Sequence, residues 1–318
     1  GTGAQRIADR ITAATGGRIT VKLHAAGELM GAFDVFPAAS AGEIEMYHAA
    51  EYYWTSTDPG FAFYTTVPLG LTASELNAWI LHGGGQALWD ELSANHGLKA
   101  IIAGNSGVQM GGWFREPVTG HDDLKGLRIR MPGLGGEVLR QLGADAVTMP
   151  GGKIRGALEA GEIDATEWVG PVSDMNFGLQ DLLKHYMYPG FHEPGAGTAV
   201  GMNKAWWDRQ TPADQALIEA CCLAENEIML AEFNELNGPA LEALLGDHGV
   251  ELHRFPEAVW KSISDASLQV VADTATGGDL AQRIHDSFTR FRREVAGWSN
   301  IAESAYLAQR ARLLGITS

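Results

Sequence analysis

The chain has 318 residues, a formal net charge of -16 and 45% hydrophobic side chains. That length buries a substantial core and divides into two domains or lobes. The acidic balance excludes a nucleic-acid partner, since phosphate affinity comes largely from Lys and Arg, and no run of about 18 apolar residues is present to span a membrane.

A small anionic ligand would therefore need local positive charge, from an arginine or a metal. The chain opens at Gly1 with neither a methionine nor an apolar leader, and so reads as a processed chain. Helical spacing in AQRIADRITAATGG ends at Gly16 and Gly17, and RITVKLH then alternates with period 2 as a strand. A helix in AFDVFPAASAGE and a strand in IEMYHA follow, then a helix in SELNAWILHGGGQALWDELSANHG and a strand in LKAIIAG. This alternation is that of an α/β domain with a largely parallel sheet.

A second run begins after HDDLKG: strand LRIRM, helix GGEVLRQLG, strand AVTM, helix GGKIRGALEAGE and strand IDATEW. GTAVGMNKAWWD reads as a strand returning to the first lobe. From Thr211 and Pro212 a helical pattern then continues for over about 30 residues, long enough at about 1.5 Å per residue to lie across both lobes. Helical spacing returns in AVWKSISDASLQVVADTA and SAYLAQRARLLG. The expected division is 1–113 with about 196–250 in the first lobe, and 114–195 with about 251–318 in the second. Lobes that exchange chain more than once imply a hinged cleft, with polar residues at strand ends as the place to look for a ligand. Cys221 and Cys222 are adjacent in a helical pattern, unsuited to a mutual disulfide, and read as buried inert thiols.

In LRIRM, alternation sets Leu127, Ile129 and Met131 on one face and Arg128 and Arg130 on the other. A strand-end arginine is ordinarily a surface ion pair. Arg130, however, runs into the Gly-rich turn MPGLGGE, which permits close backbone approach by an anion, and its guanidinium fork matches a carboxylate. AGNSGVQMGGWF places Asn105 and Gln109 where the first lobe gives way to the second. Glu167, beside Trp168 at the end of a strand, needs a partner if buried. A hard cation held by Glu167, Gln109 and a backbone carbonyl would supply one. Glu193 in YPGFHEPG offers a second carboxylate. The adjacent His192 lacks a paired histidine at helical spacing, so zinc is set aside. In EYYW, Tyr52 and Tyr53 can donate hydroxyls and exclude water, or simply pack between lobes.

These stretches, with HAAGEL, FAFYTTVPLGL, WILHGGG, YMYPGFHE and above all GVQMGGWF and EWVGP, resemble the periplasmic solute-binding subunits of tripartite ATP-independent periplasmic (TRAP) transporters. Within them the chain resembles the subgroup that binds α-keto acids with a cation. The likeness covers nearly the whole chain; the usual strand ahead of the first helix is not seen.

The resemblance implies a two-lobed α/β periplasmic binding protein-like fold with an interdomain ligand cleft and a long helix spanning both lobes. It makes Arg130 the carboxylate anchor, and Gln109, Glu167, the Trp168 main-chain oxygen and Glu193 ligands of a bound Na+ or Ca2+. Asn105 and Tyr52 or Tyr53 would contact the acid, and Phe191 would form a pocket wall. The implied activity is capture of a 2-oxo acid, pyruvate or a longer homologue, in the periplasm for delivery to TRAP membrane subunits, without catalysis and, as in homodimers of that subgroup, as a pair of chains. Two alternatives stand beside it: a metal-dependent lyase acting on small keto acids, and a binder of a 2-hydroxy acid such as lactate.

Overall fold

Residues 1–316 are described by a computed structural model. In chain order the regular elements are α1 (Thr2–Ala14), α2 (Val35–Ala41), β1 (Met46–Ala49), α3 (Ala73–His82), α4 (Gly85–Ala94), β2 (Leu98–Asn105), β3 (Gly112–Phe114), β4 (Arg128–Arg130), α5 (Gly133–Gln141), β5 (Asp145–Val147), α6 (Gly151–Glu159), β6 (Ala165–Thr166) and α7 (Pro171–Phe177). There follow β7 (His185–Tyr188), β8 (Gly197–Asn203), α8 (Lys204–Asp208), α9 (Pro212–Gly246), β9 (Glu251–Arg254), α10 (Glu257–Asp273), α11 (Asp279–Ser299) and α12 (Ala305–Leu314). Short 3-10 turns at Glu51–Trp54 and Pro59–Tyr64 carry the aromatic residues after β1.

Two sheets organise the lobes. The first has the order β1-β8-β2 and the second β5-β4-β6-β3-β7-β9. The expected largely parallel sheet of the first lobe is in fact antiparallel, because β8 returns between β1 and β2 and pairs Ala199 with Ala49 on one side and Ile102 on the other. In the second sheet β4 runs parallel to β5 and β6, β7 runs parallel to β9, and β3 is antiparallel to both its neighbours.

The chain changes lobes between β2 and β3 and again between β7 and β8, and these two crossovers run side by side. The Gln109 amide donates to Glu193 O (2.9 Å), Gly190 N to Gln109 O (3.0 Å) and Ser106 N to Ala196 O (3.0 Å). A Cβ on Gly190 would sit 2.6 Å from Gln109 O, so only glycine lets the strands approach this closely.

The long helix α9 has 35 residues, starts at the Thr211 hydroxyl cap with Pro212 in its first turn, and contains Pro239. It packs on β2 and α1 of the first lobe and on α7 of the second, where Asn237 Oδ1 accepts from Val172 N at 3.1 Å.

Three local expectations fail for physical reasons. RITVKLH forms no strand: Ile19 and Val21 pack on the α1–α9 layer, and their amides bond to the Thr15 and Thr12 hydroxyls instead of a neighbouring strand. The helix expected through SELNAWILHGGGQALWDELSANHG breaks into α3 and α4, because Gly84 takes φ +86° and Gly83 packs against the backbone of Trp79. The third concerns α11, which falls in the segment expected in the second lobe. It lies on the first lobe rather than the second: Trp79 Nε1 donates to Ser287 Oγ (3.2 Å), Arg283 pairs with Glu91, and Phe288 packs on Phe63. The last two residues of the expected 251–318 segment lie outside the described residues.

Candidate functional site

Arg130 ends β4 and points into the lobe junction, where it is 1% exposed. Its Nη1 donates to the main-chain oxygen of Glu167 (3.0 Å) and pairs with the Glu167 carboxylate, and its guanidinium lies 5.4 Å from the Trp168 ring. Burial is the largest single influence on Arg130 and opposes its charge, but Glu167, Tyr53, Tyr52 and Glu193 together outweigh it, so the guanidinium holds its proton more tightly than usual. Nη2 faces Tyr53 Oη at 3.5 Å, only a weak contact.

Glu167 follows β6, whose register beside β4 puts Glu167 N on Arg130 O at 3.1 Å. It too is 1% exposed, yet Oε2 has no hydrogen-bond partner; His192 Nε2 stands 3.4 Å away, within ion-pair range but not bonded. Glu193 is also buried. Burial, reinforced by the negative charge of Glu167, pushes its carboxyl well above the ordinary range. Ligand atoms of Glu167, His192 and Glu193 all lie within 4.8 Å of one another.

Gln109 sits on the first crossover, with Nε2 on Ser106 Oγ (3.0 Å) and Oε1 unpartnered. Asn105 closes β2: its Oδ1 accepts from Gly107 N at 2.8 Å and its Nδ2 is unpartnered in a fully buried position. Tyr52 and Tyr53 come from the first lobe with ring centroids 4.8 Å apart, and burial raises both phenols so that they remain donors.

The Gly-rich turn after β4 admits these groups. A Cβ on Gly133 would meet the Tyr52 ring at 3.3 Å, and one on Gly135 would meet His192 Cβ at 2.7 Å. Phe191 is buried with its ring 5.4 Å from that of His192. Trp168, half-buried, stacks on Phe177 at 5.1 Å. Outside Tyr52 and Tyr53 the junction opens into a groove of about 530 Å³ bordered by Phe33, Gly133, Glu137 and Arg140.

The junction thus brings together Arg130, Asn105, Gln109, Tyr52, Tyr53, Glu167, Trp168, Phe191 and Glu193. Two residues were not foreseen as parts of it. His192, set aside for want of a paired histidine, is 1% exposed with neither ring nitrogen bonded; its place between an aromatic and a carboxylate in a Gly-bounded turn was the available signal. Asp174 in α7 was unread. Its Oδ1 accepts from Val169 N and Gly170 N (both 3.0 Å), and its Oδ2 from Trp113 Nε1 (2.8 Å) and Tyr186 Oη (2.6 Å). Burial raises it to about 6 against those hydrogen bonds. Asp174 therefore fixes the turn that carries Glu167 and Trp168.

Buried polar atoms normally find partners. Here the unpartnered oxygens of Glu167 and Gln109, beside a second carboxylate, form a hard-cation donor set. The orphan donors of Asn105 and His192 with Arg130 suit an anion. A two-lobed α/β chain holding such a set at its junction is a solute-binding protein, built to enclose a small charged ligand.

Residues 1–276 match the family described as bacterial extracellular solute-binding protein, family 7, and the chain belongs to that family. It is 36% identical over 304 residues, 96% of this chain and 83% of the relative, to a monocarboxylate 2-oxoacid-binding periplasmic protein of Nostoc. A TRAP transporter solute-binding protein from Bordetella bronchiseptica, described with copurified calcium and picolinate and as a mixed-occupancy dimer, superposes with a TM-score of 0.96 at 32% identity, over 99% of this chain and 93% of that one. One from Pseudoalteromonas atlantica, with bound sodium and pyruvate, gives a TM-score of 0.93 at 34% identity over 96% and 93%. The protein is accordingly the solute-binding component of a TRAP system and not an enzyme, in a family described as extracellular. No helix of the described residues is long and apolar enough to cross a membrane.

Proposed function

We propose that the protein captures a small 2-oxo acid, pyruvate or a longer homologue, together with a bridging Na+ or Ca2+ in the periplasm, and presents it to TRAP membrane subunits. The carrying observation is the pair of buried, unpartnered oxygens, Glu167 Oε2 and Gln109 Oε1, beside a buried arginine. In this reading Arg130 anchors the ligand carboxylate. Glu167, Gln109, Glu193 and the Trp168 carbonyl hold the cation, and the 2-oxo oxygen completes its shell. Asn105, His192 and the Tyr52 and Tyr53 hydroxyls donate to the acid, and Phe191 limits its side chain.

Charge balance supports the arrangement. Arg130 and a cation offset the ligand carboxylate and Glu167, none of which is tolerable alone at this depth. The relatives described with 2-oxo acid, pyruvate, sodium and calcium support the ligand and cation classes.

Calorimetric titration with pyruvate, longer 2-oxo acids and lactate, followed by assay of the recovered ligand, tests the cargo. Binding of a 2-oxo acid returned intact is expected; failure of every 2-oxo acid to bind, or its chemical conversion, would overturn the reading.

We further propose a homodimer through the C-terminal helices, because Trp298, Ile301, Tyr306, Leu313 and Leu314 are each more than 60% exposed there. Light scattering should give twice the 34.0 kDa of one chain.

A further inference from the structure

At the edge of the six-stranded sheet, β7 and β9 pair in parallel with His185 opposite Glu251 and Met187 opposite His253. Period-2 alternation therefore puts His185, Glu251 and His253 on one face, with Met187 buried among them and Tyr186 and Leu252 turned to the other. The three polar side chains converge. His185 Nδ1 lies 3.0 Å from His253 Nε2, Glu251 Oε2 lies 3.6 Å from the first nitrogen and 3.5 Å from the second, and the imidazole centroids are 5.0 Å apart.

Those three separations join the same three atoms, so they fix a triangle. Its centre is about 2.0 Å from every corner, and imidazole nitrogens and carboxylate oxygens bind zinc at about 2.0–2.2 Å. We infer that His185, Glu251 and His253 form a divalent transition-metal site of the zinc class, separate from the cation site of the cleft. One ion can reach all three atoms with no movement of the backbone.

Two imidazoles and one carboxylate suit Zn2+, with Co2+ or Ni2+ as substitutes, whereas Na+ and Ca2+ prefer all-oxygen shells. The chemistry therefore distinguishes this site from the cleft as well as the location does. The side chains are 19%, 64% and 29% exposed in the order His185, Glu251, His253, so an ion enters from solvent and water completes its shell. Without metal, one imidazole donates a proton to the other across the 3.0 Å gap; the ion replaces that shared proton. The bound metal would clasp the edge strand β9 to β7, whose far end leads into Phe191, His192 and Glu193. It would raise the thermal midpoint by mass action.

The test is titration of the tag-free, chelator-treated full chain with ZnCl2 in saturating Ca2+, which occupies the cleft. One equivalent of Zn2+ is expected, with affinity reduced at least tenfold in His253→Ala and in His185→Ala and unchanged in the cleft variant Glu193→Gln. Exposed Glu251→Gln, which threatens folding least, should also weaken binding, and Co2+ should give visible absorption bands that these variants alter. Absence of stoichiometric Zn2+ binding would overturn the inference. So would binding that survives the His185→Ala/His253→Ala double change, or that disappears with Glu193→Gln.

Discussion

Two glutamates, Glu225 in α9 and Glu167 at the lobe junction, are equally buried at 0% and 1% exposure, yet their surroundings differ. Glu225 is fully engaged: Arg6 Nε reaches both its oxygens at 3.0 Å, Arg6 Nη2 reaches Oε1 at 2.6 Å, and Arg10 Nη1 reaches Oε2 at 3.3 Å. Glu167 gives one oxygen to Arg130 and leaves the other without a partner, next to a second carboxylate and a histidine with both nitrogens free of hydrogen bonds. The first arrangement is a finished structural pair that ties α1 to α9. The second is incomplete without a ligand. Burial of charge alone does not mark a site, and neither does one unmet valence; unmet valences of Glu167, Gln109, Asn105 and His192 gathered at one lobe junction do.

Mutations that separate the two regions sharpen that contrast. The largest effect is expected from Arg130→Ala, which removes the carboxylate anchor: 2-oxo acid affinity measured by calorimetry should fall on the order of 100-fold, about 2.7 kcal/mol. Glu225→Gln should act in the opposite sense, lowering unfolding free energy by about 2 kcal/mol while leaving ligand affinity unchanged. It falls below the usual cost of breaking a buried pair because Arg6 is 26% exposed and can turn to solvent. Equilibrium denaturation beside calorimetry checks both halves.

Glu167→Gln should weaken 2-oxo acid binding at least tenfold, about 1.4 kcal/mol, and remove its dependence on added cation. Undiminished affinity in both Arg130→Ala and Glu167→Gln would break the site assignment.

A smaller, pH-dependent effect is expected at Glu51, a third buried glutamate. Its Oε1 accepts from Tyr47 Oη at 2.8 Å, and burial pushes its carboxyl from 4.5 up to about 7. Between those values the unfolded chain is ionised and the folded chain protonated. The stabilising contribution is complete below 4.5 and declines as pH rises through 7. Glu51→Gln keeps the acceptor for Tyr47 and should flatten that decline, by about 1 kcal/mol between pH 5 and pH 6 in denaturant unfolding. An identical slope in both proteins would assign the pH dependence elsewhere.

Much of the site was legible because local rules bear on it. Strand alternation followed by a Gly-rich turn singled out Arg130, and an acidic residue beside a tryptophan at a strand end singled out Glu167. What escaped depends on non-local packing. His192 acquires its environment only when Gly135 lets it reach Glu167, and Asp174 acquires its role from Trp113 and Tyr186, which belong to strands paired across the sheet. The fold divides the same way. The capped start of α9 reads directly from Thr211 and Pro212. By contrast, the antiparallel placement of β8, the packing of RITVKLH on helices and the seat of α11 on the first lobe are tertiary choices that period and propensity do not contain.

The central claim is that the orphan oxygens hold a cation which in turn holds the acid, and thermodynamic linkage tests it most directly. Metal-stripped protein titrated with pyruvate at zero and saturating Ca2+ or Na+, and with the cation at zero and saturating pyruvate, should show each ligand tightening the other by the same factor, at least tenfold. Pyruvate binding of equal affinity with and without either cation would contradict the account.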